Sequence, residues 1–125
     1  MTARDDSRPL SDGSLSDSEY DALTRAVLDA IEATADAWLQ DDVIDIDSHR
    51  TGGLLELSLP NGSKIVINTQ PPLRELWLAG KSGGYHFRHV DGRWIDTKDG
   101  REFHSRLSEC ASEQAARQLK FAPAR

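Results

Sequence analysis

Apolar residues recur at helical spacing from Tyr20 to Trp38 and then switch to strict alternation from Val43, and this change of period divides the chain. In the first stretch Tyr20, Leu23, Val27, Ile31, Thr34 and Trp38 share one arc of a helix. Asp21, Asp29, Glu32 and Asp36 share the opposite arc, with Arg25 among them. Leu28 and Leu39 lie near the acidic side, and the wheel does not account for them. Ser16 with Glu19 reads as a capping box, with Ser18 as an alternative cap, so a helix is predicted from there to about Gln40.

The alternation Val43-Ile44-Asp45-Ile46-Asp47 predicts a strand with Ile44 and Ile46 inward and both acids in water. A second strand, Leu54 to Leu59, places Leu55, Leu57 and Leu59 on one face. Asn61-Gly62 is read as a two-residue hairpin turn into Lys64 to Asn68. Pro71-Pro72 interrupts the ladder before a strand from Leu73 to Ala79. Gly80 and Gly83-Gly84 precede Tyr85 to Val90, and Asp91-Gly92 marks a tight turn into Trp94-Ile95. A last helix is predicted over about Arg101 to Leu119, with Phe103, Leu107, Cys110, Ala111, Gln114 and Leu119 near one stripe. The order predicts an α+β fold, a two-layer α/β sandwich with two helices on one face of a five- to six-stranded antiparallel sheet. Residues 1–15 read as a disordered tail, 16–120 as the domain and 121–125 as a flexible C-terminus.

Such a fold leaves one sheet face without a cover. Leu76 and Leu78 take the inward phase of their strand, which turns Glu75 and Trp77 outward. An outward Trp has three readings: a surface ring packed on its neighbours, a strand misphased by one residue, or an anchor for a partner.

At 125 residues one domain is expected, with a core of moderate size. No apolar run approaches the roughly 18–20 residues of a membrane span, the first residues lack a signal-like apolar stretch, and one cysteine excludes an internal disulfide framework. These features lead to the expectation of a cytoplasmic protein that binds neither membrane nor nucleic acid. Charge sharpens the picture. Between Asp17 and Asp47 ten acids meet one base, a net −9, while the remainder carries 11 acids and 14 bases, a net +3. Single carboxylates on a helix are ordinarily solvated, but these sit at i,i+3 and i,i+4 spacings where like charges repel. Hard cations prefer such oxygen ligands. The four histidines, His49, His86, His89 and His104, all lie outside the acidic segment. A row on one helix cannot surround an ion, so weak, polyvalent binding is expected, and no constellation suggests a catalytic residue. Cys110 falls on the apolar stripe and is expected to be core.

Several stretches resemble the frataxin family, most closely its bacterial branch: Asn61-Gly62-Ser63-Lys64-Ile65-Val66-Ile67-Asn68, Gln70, Pro72-Leu73, Trp77-Leu78-Ala79 and Gly83-Gly84-Tyr85-His86-Phe87. The acidic first helix, Trp38 and Ile44-Asp45 match as well, and the likeness covers roughly residues 18–115. The resemblance implies an αβ sandwich, a role in iron–sulfur cluster assembly, and an acidic ridge that binds iron (Fe2+/Fe3+) and docks on a basic patch of cysteine desulfurase. The matching acids are Glu32, Asp36, Asp41, Asp42 and Asp45. The pattern departs at Ala33, Ala37, Leu39 and Val43, for which Asp29 and Asp47 partly compensate. The expected metal ligands are therefore Asp29, Glu32, Asp36, Asp41, Asp42, Asp45 and Asp47. Glu32, Asp36 and the sheet residues Asn68, Gln70 and Trp77 are the expected contacts to the desulfurase and the scaffold protein. A monomer is expected, with an iron-dependent oligomer as the variant. The competing functions are a ferroxidase or iron-storing oligomer, and an acidic interaction module without metal.

Overall fold

The computed structural model describes residues 15–123, so the tail expected over 1–15 lies outside the described residues except for Leu15, which packs partly buried against the core. Helix α1 (Asp17–Gln40) is followed by β1 (Asp47–Thr51), β2 (Leu54–Ser58), β3 (Lys64–Gln70), a 3-10 turn (Pro71–Leu73), β4 (Glu75–Gly80), β5 (Gly83–Val90), β6 (Arg93–Asp96) and helix α2 (Phe103–Ala115). The six strands pair antiparallel in chain order. Leu55, Leu57, Ile65, Ile67, Leu76, Leu78 and Phe87 of the sheet join Leu28 and Ile31 of α1 and Phe103 and Leu107 of α2 in one buried cluster. The expected two-layer α+β architecture is what forms.

Helix α1 begins at the expected capping box. The Ser16 hydroxyl accepts from the Glu19 N–H at 3.1 Å, and the Glu19 carboxylate accepts from the Ser16 N–H at 2.8 Å. Its buried side comprises Tyr20, Thr24, Val27, Leu28, Ile31 and Ala35. The buried arc is thus turned toward the acids relative to the sequence expectation. Leu28 belongs to the core at 1% exposure, Leu39 stands 51% exposed, and Thr34 and Trp38 are only half-buried. The helix ends in a Schellman turn: Asp42 takes a left-handed conformation (φ 58), and the Val43 and Asp42 N–H groups donate to the carbonyls of Trp38 and Leu39.

Several boundaries differ from expectation, each for a local reason. The first strand starts at Asp47, not Val43, because β2 ends at Ser58, the partner of Asp47, and leaves Ile46 without a ladder neighbour. Ile46 is nevertheless buried. The Asn61-Gly62 hairpin is a three-residue loop. Gly62 N–H donates to Leu59 O, Leu59 N–H donates to Ser63 O, and only Gly62 has positive φ (88), with Pro60 leading the turn. By contrast Asp91 (φ 50) and Gly92 (φ 82) form the two-residue turn expected between β5 and β6. Strand β4 starts at Glu75, since the prolines close a 3-10 turn and Arg74 is left-handed (φ 54).

Helix α2 stops at Ala115 because Ala116 also turns left-handed (φ 56). Leu119 is still buried, but as part of a segment returning along α2. The Ser112 hydroxyl exchanges hydrogen bonds with Leu119, and the Ser108 hydroxyl accepts from the Phe121 N–H at 2.8 Å. Phe121 is 2% exposed and meets Trp38 at 4.8 Å between ring centres. The expected flexible end at 121 is therefore corrected there: an aromatic contact and two serine clasps hold the chain past the helix.

At the start of α2, Glu102 caps the helix by accepting from the His104 and Ser105 N–H groups, at 2.9 and 3.0 Å. Burial works to raise its carboxyl pKa, but these bonds and the His104 imidazole outweigh it and leave it lowered. A carboxylate less basic in the folded than in the unfolded chain stabilises above the ordinary carboxyl pKa and loses that contribution as pH falls through the lowered value. Glu102→Gln is accordingly expected to cost about 0.5–2 kcal/mol near neutral pH and to flatten the acid side of a stability–pH profile. Urea unfolding should further separate the two unplaced leucines: Leu28→Ala is expected to cost about 2–5 kcal/mol, and Leu39→Ala within about 0.5 kcal/mol of nothing.

Candidate functional site

The acidic segment does not carry its charge evenly. In the first half of α1 the acids meet partners from this same chain. Asp17 holds Arg74, Asp21 holds Arg25 one turn on, and Glu19 serves the capping box. Arg50, projecting from β1, reaches back to α1 and donates to Asp29 at 2.5 Å and to Glu32 at 2.8 Å. Its side chain is 21% exposed. The hydrogen bond with Asp29 raises its guanidinium pKa above the usual arginine value; burial opposes this, and Glu32 adds to it.

Beyond Glu32 the pairing stops. Asp36 lies on the last turns of α1, Asp41 and Asp42 on its C-terminal turn, Asp45 in the connection and Asp47 at the start of β1. All five are exposed, and none has an ion-pair or side-chain hydrogen-bond partner among the described residues. They crowd the negative end of the helix dipole, where further anionic charge is disfavoured. Arg117 reaches this loop but not its carboxylates, its guanidinium donating to the Val43 carbonyl between Asp42 and Asp45. Among the described residues no three or more His, Cys, Asp or Glu side chains converge into a chelating group. A cation meeting this loop would keep most of its water.

The uncovered sheet face holds the second cluster. Trp77 lies outward, as the phase of β4 predicts, with Leu76 and Leu78 buried on the other side. Its ring stacks on His86 of β5 at 4.0 Å and 7°, and its Nε1–H donates to the Glu75 carboxylate at 2.8 Å. Glu75 is only 8% exposed, with Arg88 at 3.6 Å and His86 at 3.9 Å. Asn68, Trp77 and His86 stand abreast on three strands, and Gln70, Glu75 and Arg88 form the next row. The ring is thus partly covered by neighbours and held at a fixed angle, the arrangement of a rigid surface aromatic.

The structure brings Asn68, Gln70 and Trp77 together on the outer face, but Glu32 and Asp36 belong to the helix layer on the inner face. Edge strand β1 lies between them, three strand spacings or roughly 14 Å from β4. His86, Arg88 and Arg50 were not anticipated as parts of either cluster. Arg50 had a readable signal, since alternation from Ile46 through Ser48 turns it inward, toward the acidic helix. Cys110 is buried, and burial pushes its thiol pKa up, the reverse of nucleophile activation.

Comparison with known proteins places these features in context. A frataxin-like domain family matches residues 13–117. The iron–sulfur cluster assembly protein CyaY of Paraburkholderia phymatum is 50% identical over 109 residues, covering 87% of this chain and all of that protein. Its namesake in Burkholderia mallei is 46% identical over 107 residues, covering 86% of this chain and 98% of that protein. Among solved structures, the frataxin of Psychromonas ingrahamii superposes with a TM-score of 0.75 at 32% identity, covering 86% of this chain and 99% of that one. A trimeric yeast frataxin complexed with ferrous iron superposes with a TM-score of 0.62 at 27% identity, covering 83% and 89%.

Proposed function

The chain belongs to the frataxin family, and on that premise we propose that it serves iron–sulfur cluster assembly as a regulator, carrying Fe2+ or Fe3+ weakly on its acidic ridge and docking on a cysteine desulfurase and its scaffold protein. The names of its relatives support the assembly role, and the ferrous complex of a yeast frataxin supports iron as cargo. The observation that carries the reading is the gathering of five exposed, unpartnered carboxylates, Asp36, Asp41, Asp42, Asp45 and Asp47, at one end of the molecule.

Two physical consequences follow from that gathering. Exposed like charges project a field that speeds encounter with a basic surface, and salt weakens it. The same carboxylates attract hard cations but supply no closed shell, so exchange is fast and the ion is readily handed on. The Trp77–His86 stack, flanked by Asn68 and Gln70, offers a partner an aromatic contact of fixed geometry. An extended partner that crosses the β1 edge would reach both surfaces. Asp47, at the start of β1, is the ridge acid that lies on that edge strand itself.

Asp36→Lys combined with Asp45→Lys is expected to abolish desulfurase binding in a pull-down while leaving thermal unfolding within a few degrees of the parent. Retained binding would remove the ridge from the docking surface. Ferrous oxidation followed by oxygen consumption should proceed at the buffer rate, whereas rapid, saturable consumption would favour a ferroxidase. For the sheet patch, Trp77→Ala is expected to cost about 1–2 kcal/mol, well below the ~3–5 kcal/mol of a core aromatic, yet to weaken partner binding measured by titration calorimetry.

A further inference from the structure

We infer that Arg50 is an internal counter-ion that withdraws Asp29 and Glu32 from the ridge and confines cation binding to Asp36–Asp47; the inference rests on the ridge reading above. Three observations carry it. The guanidinium lies within hydrogen-bonding distance of both carboxylates, at 2.5 and 2.8 Å, so one cation already bridges two acids a helical turn apart. The bridge is tertiary, from strand to helix across 21 and 18 residues of sequence, and Arg50 is largely sheltered at 21% side-chain exposure. No comparable base reaches the side chains of Asp36, Asp41, Asp42, Asp45 or Asp47 among the described residues.

The consequence is selectivity by position. An incoming divalent ion at Asp29 and Glu32 meets carboxylates whose charge is already offset by a tethered guanidinium whose effective concentration is fixed by the fold. At the far end of the helix it displaces only water. Asp29 and Glu32 therefore contribute alignment of α1 against β1 more than they contribute cargo sites, and Arg50 sets where the binding surface begins.

Mn2+ serves as a hard paramagnetic probe, with amide signal broadening read along the chain. In the parent protein broadening is expected to centre on residues 36–47 and to weaken along α1 toward residue 29. In Arg50→Gln it should extend over 29–33, with apparent affinity tightened roughly threefold. Equal broadening at 29–33 and 36–47 in the parent would overturn the role of Arg50 while leaving the ridge standing. An unchanged map in a folded Arg50→Gln protein would do the same. Absence of broadening anywhere would overturn the iron-carrying reading itself, and this inference with it.

Discussion

Everything distinctive about this molecule follows from how α1 is rolled on the sheet. One helix has to bury an apolar stripe against one face of six strands, and the stripe that does so runs through Tyr20, Thr24, Leu28, Ile31 and Ala35. The Tyr20 hydroxyl fixes the roll: it donates to the Glu75 carbonyl at 2.5 Å and accepts from the Gln70 N–H at 2.9 Å, tying the helix to the β3–β4 connection. With that roll set, the acids face outward, Arg50 lies within reach of two of them, and the opposite sheet face is left for Trp77.

The charge is organised along the helix as well as around it. From Asp17 to Glu32 each acid finds a base or a backbone N–H of its own chain. From Asp36 to Asp47 none does among the described residues. Individual exposed pairs stabilise little, so the pairing matters more for what it masks than for how firmly it holds the fold. The unpaired half also sits on a Schellman turn whose left-handed position is filled by Asp42, where glycine would be easier. Anionic charge is thus retained at a helix C-terminus and in an unfavourable backbone conformation, both at some cost in stability.

Much of this was readable from the residues alone. Period-two alternation placed Leu55, Leu57, Leu76 and Leu78 inward and Trp77 outward, because side-chain phase is fixed by the pleat and by nothing further away. The capping box at Ser16 was equally local. What escaped the sequence reading was set by tertiary neighbours. Leu28 is core because the sheet extends under that flank of α1, which a helical wheel cannot know. The delayed start of β1 depends on where β2 ends. The Arg50 bridge needs the register of β1 as well as its alternation. Phe121 is buried only because two serines on α2 hold the returning chain.

That returning segment has a practical consequence. Its Phe121 ring rests on Trp38 near the end of α1, and its Arg117 guanidinium holds the Val43 carbonyl in the loop that bears the unpaired carboxylates. Removing residues 117–121 would release both contacts, so the geometry of that loop depends on a segment remote from it in sequence.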